Sequence, residues 1–100
     1  MCEFKVIKQN DKSQVGEDIL VLSYNENNAL VIKDILGAGA MFESALIVDV
    51  NTISQECKII EHPLIKDFIG LLKCLENQSA TKEQVNAIQM SLQDLKEELL

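Results

Sequence analysis

The hydrophobic period of this 100-residue chain changes at His62-Pro63. Before that point apolar residues come in short runs of strand type, and after it they recur every three or four positions. Proline is favoured at the first helical position and pushes the residue before it out of helical geometry. The change therefore divides the chain into a sheet-forming part, residues 1–62, and a helical part, residues 63–100.

In the first part, residues 2–9 alternate, with Cys2, Phe4 and Val6 on one face and Glu3, Lys5 and Ile7 on the other. A turn over Asn10–Gln14 leads to a second strand at 15–24. Its continuous run Ile19-Leu20-Val21-Leu22 suits burial on both faces. Asn25-Glu26-Asn27-Asn28 predicts a hairpin, because Asn tolerates the left-handed conformations of such turns. A third strand follows at 29–36, and Gly37-Ala38-Gly39 breaks it. Further strands are expected at 40–43, 44–50 and 57–61. Five or six short strands suggest a small antiparallel barrel or sandwich, and the fold class is mainly β with α. Only Phe4, Tyr24, Phe42 and Phe68 are aromatic, so the core must be aliphatic.

In the second part, Leu64, Phe68, Leu71 and Leu75 share one helix face. Glu76–Ala80 has no apolar anchor and reads as a loop. Thr81-Lys82-Glu83-Gln84 fits a capping box, with Thr81 as N-cap and Gln84 reaching back. Val85, Ile88, Leu92, Leu95 and Leu99 then form a heptad seam. The result is an antiparallel helical hairpin. Its seams are satisfied either by a four-helix arrangement between two protomers or by packing on the strands of the same chain.

Composition excludes several classes. No apolar run approaches the ~20 residues of a membrane span, and no signal-peptide pattern opens the chain, which points to the cytoplasm. The formal charge is −7. Residues 1–62 carry five Lys against ten acids and residues 63–100 four Lys against six, with no Arg. Nucleic-acid affinity rests on Lys and Arg neutralising phosphates, so this balance disfavours an RNA or DNA partner. Cys2, Cys57 and Cys74 form no CxxC pair and no disulfide framework. Cys57 and Cys74 read as small buried hydrophobes. The single histidine, His62, reads as a surface or cap residue. Asp34-Ile35-Leu36-Gly37-Ala38-Gly39 matches no phosphate-binding pattern, and its glycines read as turn residues. No catalytic constellation emerges, so the chain is expected to be a binding protein and not an enzyme.

Cys2 is the one candidate metal ligand. A thiolate is a soft donor. If Met1 is removed, the thiolate and the α-amine of Cys2 make one chelate; if Met1 stays, a deprotonated backbone amide takes the place of the amine. Such N,S donation favours square-planar Ni(II) or Cu(II). One chain fills two positions, so a second chain must complete the square.

The chain opens Met1-Cys2-Glu3-Phe4-Lys5-Val6-Ile7 and continues through Glu17-Asp18-Ile19. It then runs Asn28-Ala29-Leu30-Val31-Ile32-Lys33-Asp34-Ile35-Leu36-Gly37 and Phe42-Glu43-Ser44-Ala45-Leu46-Ile47-Val48-Asp49-Val50. Over about residues 1–62 this resembles the CooT-type family, small proteins associated with nickel delivery to carbon monoxide dehydrogenase. Members have also been labelled predicted RNA-binding proteins for their Sm-like barrel. The resemblance implies a small Sm-like β-barrel, a homodimer, a Ni(II) ion held through Cys2 and a client metalloenzyme. Residues 63–100 depart from the short members of that family. Three readings follow: a nickel accessory protein, an interaction module built on the helical tail, and an RNA-binding barrel. Because nickel calls for two chains, the tail is expected to contribute to the dimer.

Overall fold

The computed structural model describes residues 3–99. Seven strands and two helices follow in order: β1 (Phe4–Lys8), β2 (Ser13–Ile19), β3 (Val21–Tyr24), β4 (Leu30–Lys33), β5 (Gly39–Phe42), β6 (Ala45–Asn51), β7 (Glu56–Glu61), α1 (Pro63–Glu76) and α2 (Lys82–Glu98). The strands form a four-stranded sheet, order β2-β1-β7-β6, and a three-stranded sheet, order β3-β4-β5.

The second expected strand divides in two. Between Phe4 and Val6 of β1, the partner strand advances from Ile19 to Gly16, so β2 carries an extra residue there. Asp18 takes up the bulge in a left-handed conformation, φ 55°. A bulge of this kind bends its strand, and the chain turns out of the first sheet at Leu20 into the second. The expected third strand stops three residues early. The Asp34 carboxylate accepts from Leu36 N at 2.9 Å and Ala38 N at 3.0 Å, and Gly37 sits at φ 84°. This side-chain-to-backbone turn takes Ile35 and Leu36 out of the strand. The Asn25–Asn28 hairpin forms as expected, with Asn28 at φ 64° and Asn25 Oδ1 accepting from Asn27 N and Ala29 N.

Val6, Ile19, Leu30, Ile32, Ala45, Cys57 and Ile59 form a buried cluster shared by both sheets. It is aliphatic, with Phe4, Tyr24 and Phe42 at its margin. Glycine is required at one position here, where backbone lies in the way, and fits closely at another, where a side-chain end would have to shift. A Cβ on Gly39 would lie 1.8 Å from the Ile32 carbonyl oxygen, and one on Gly16 would lie 2.7 Å from Ile32 Cδ1. The pairing corrects the expected wholly antiparallel order and leaves the expected barrel unconfirmed. β1 and β7 run parallel, the chain having travelled round the core between them. The two sheets are also not closed into a barrel by strand pairing among the described residues.

The helices begin where β7 ends. His62 is the N-cap of α1, its Nδ1 accepting from Leu64 N at 3.1 Å. Thr81 caps α2 in a complete capping box: Gln84 N donates to Thr81 Oγ1 at 3.3 Å and Thr81 N donates to Gln84 Oε1 at 2.9 Å. Near the α1 C-terminus Gln84 Nε2 donates to Cys74 Sγ at 3.4 Å, while Leu64 and Leu95 line one hollow, so the helices run antiparallel. Gly70 lets α1 approach the Asn25–Asn28 turn, since a Cβ there would lie 3.2 Å from Asn28 Nδ2. Ser44 ties the start of α1 to the sheet: Lys66 N donates to Ser44 Oγ at 2.9 Å and His62 N to Ser44 O at 3.1 Å. Among the described residues no helix is long and apolar enough to cross a membrane.

Candidate metal centre and helical face

Cys2, the expected metal ligand, lies outside the described residues. The strand that follows in the sequence is β1. β1 is interior, hydrogen-bonded to β2 on one side and β7 on the other. Lys5 pairs with Glu56, and Lys5 N donates to Gln55 O at 2.9 Å. Phe4 lies opposite Ile19, and Leu20 N donates to Lys33 O at 2.9 Å. The β6–β7 turn, the β2–β3 corner and the β4–β5 turn therefore gather at the end of the sheets where β1 begins. Ile35, Leu36 and Ile53 stand on these turns with 67%, 89% and 95% of their surface exposed.

α1 leaves from the opposite end. β1 and β7 are parallel, so the start of β1 lies beside the start of β7, and α1 follows the end of β7. At about 3.3 Å per residue, the length of β7 separates the two ends by about 20 Å. The start of β1 and the start of α1 therefore lie at opposite ends of the sheets.

The other sequence candidates fall into different surroundings. Cys57 is fully buried in the core, as expected. Burial pushes its thiol pKa up, and the charge of Asp49 adds to the rise; an enclosed, protonated thiol is a poor ligand. Cys74 departs from the expected burial and is only half-buried. The hydrogen bond from Gln84, and then one with Ser79, hold its thiol below the ordinary range.

Ser44 and His62 meet, with Glu43, Glu61, Pro63 and Lys66, in an open hollow of about 390 Å³. They do not form a nucleophile–base pair. The Ser44 hydroxyl donates to the His62 main-chain oxygen, and His62 Nδ1 is occupied by Leu64 N. These groups hold α1 against β6. Across the same end, Asn10 Nδ2 donates to Glu61 O and Asn10 Oδ1 accepts from Glu61 N, each at 2.9 Å. Among the described residues no group of three or more His, Cys, Asp or Glu is placed to hold a metal ion.

The two helical seams divide unevenly. Ile88 is buried and Leu95 half-buried, yet Val85, Leu92 and Leu99 of the same heptad seam are exposed. On α1, where no described residue is fully buried, Phe68, Leu72 and Leu75 are exposed. Gly70, Asp67, Gln84 and Ala87 line a hollow with Asn28, which marks the side of the hairpin facing the sheets. At 100° per residue both exposed rows fall on the other side of the helix–helix contact. Period alone had marked the seam residues, but it carried no signal for which of them a neighbour covers. The exposed turn residues Ile35 and Leu36 were missed for a related reason, since their apolar character read as strand.

No protein-family model matches this chain, and no curated protein is similar to it.

Proposed function

We propose that this chain is a non-catalytic accessory protein that binds nickel through the Cys2 thiolate, two copies meeting at the end of the sheets where β1 begins. The observation that carries the reading is the interior position of β1. Phe4 pairs with β2, Lys5 with β7, and Val6 to Lys8 with both, so an interior strand begins two residues after Cys2. Ligands held by rigid elements keep their geometry when a metal enters or leaves. One Cys2 chelate fills two of the four positions of a square-planar ion, so the remaining donors come from the second copy. The exposed Ile35, Leu36 and Ile53 around that end offer apolar surface for the contact. The likeness to the CooT-type family supports nickel as the ion and a nickel enzyme as its recipient, and it extends the two-sheet core to an Sm-like barrel.

Titration of Ni(II) into the full chain tests this. One ion is expected per two chains, with thiolate charge-transfer absorption in the near ultraviolet. Affinity falls as pH falls, because the ligand must lose its proton to bind. Cys2→Ser should lose binding and keep the fold. Unchanged affinity in that variant would overturn the site. A second reading, an interaction module built on the helices, is favoured by the exposed rows of α1 and α2.

A further inference from the structure

We propose that the outer face of the helical hairpin pairs with the same face of a second copy, forming a four-helix bundle that does not depend on the metal. The face consists of Phe68, Leu72 and Leu75 on α1, and Val85, Leu92 and the C-cap residue Leu99 of α2, all exposed. Because the helices are antiparallel, Leu75 lies toward Val85 and Phe68 toward Leu92, and the two rows make one continuous surface. Apolar surface of this extent on a small chain marks an interaction site.

Two features select a second copy as the occupant. The first is charge. The chain carries −7, so two copies repel unless they meet where the acids are absent. On α2 the carboxylates are Glu83, Asp94, Glu97 and Glu98. At 100° per residue each lies about 100° or more around the helix from the Val85–Leu92–Leu99 row. Gln89 and Lys96 flank that row instead. On α1, Lys66, Asp67 and Lys73 lie about 100° or more from the middle of the Phe68–Leu72–Leu75 row, and Glu76, at the end of the helix, is the one carboxylate that borders it. Two acidic chains thus meet on this face without bringing α2 carboxylates together.

The second feature is period. Val85, Leu92 and Leu99 are spaced by seven, the repeat that packs knobs into holes against a helix of like period. A second hairpin presents that repeat over an equal length. Seventeen residues of α2 span about 25 Å, and two helices side by side about 20 Å. Covered on both copies, such a face comes to about 1,000 Å², the lower bound for a specific interface.

Sedimentation of the metal-stripped full chain at tens of micromolar tests the pairing. A dimer is expected, unchanged in Cys2→Ser, so failure of the nickel reading leaves this result untouched. Leu92→Glu, or Leu72→Glu on the facing helix, should weaken the dimer at least a hundredfold. Both positions are exposed, so circular dichroism should stay that of the parent chain. Glu97→Gln, on the far side of α2, should leave the dimer intact. A monomeric parent chain would overturn the proposal and pass the face to a partner of different sequence. A dimer unmoved by both glutamate variants would overturn it as well.

Discussion

The sheets and the hairpin differ in how completely each buries its own apolar residues. In the sheets, side chains from β1, β2, β4, β6 and β7 close on one another until Val6, Leu30 and Ile59 retain no exposed surface. In the helices only Ile88 is buried among the described residues, and α1 contributes none. The difference lies in geometry more than in composition. Two sheets present two faces to each other and enclose what lies between, whereas a two-helix hairpin covers one side of each helix and leaves the other open. The sheets are a finished core; the hairpin is half of one.

Substitutions in the two regions should separate sharply. Ile59→Ala opens a cavity in the shared core and should cost about 2–5 kcal/mol of unfolding free energy in denaturant titration. Leu92→Ala, on the open side of α2, should cost about 1 kcal/mol within one chain, while weakening self-association in sedimentation. An equal loss at both sites would break the contrast. The smallest effect is local. Thr81→Ala removes one half of the capping box and should cost about 1 kcal/mol or less, with fraying at the α2 N-terminus visible in amide exchange.

What the sequence disclosed follows the range of the forces involved. The capping box and the Asn25–Asn28 turn depend on residues a few positions apart, and both appear as expected. The helix start at Pro63 was legible for the same reason. The break at Leu20 was not, because the Asp18 bulge exists only through pairing with β1. The parallel pairing of β1 with β7 joins residues about fifty positions apart and leaves no local mark. Ile35 and Leu36 carried competing signals. Apolar character argued for strand, and the Asp34 and Gly37 turn chemistry prevailed. The proposal of Cys2 as a metal ligand rests on soft-donor chemistry and on a family resemblance, neither of which depends on the fold. The separation of the chain-start end from the helices needed the strand order.

Amide hydrogen exchange on the full chain, followed over a dilution series, tests the contrast between a finished core and an open hairpin most directly. In the core strands, Val6, Ile32 and Ile59 should exchange slowly and at rates independent of protein concentration. In α2, the amides of Ile88 and Leu92 should exchange faster on dilution as the paired hairpins come apart, and Leu92→Glu should make them fast at every concentration. Protection that is uniform across strands and helices and indifferent to dilution would show one packed unit complete in a single chain, and would contradict this account.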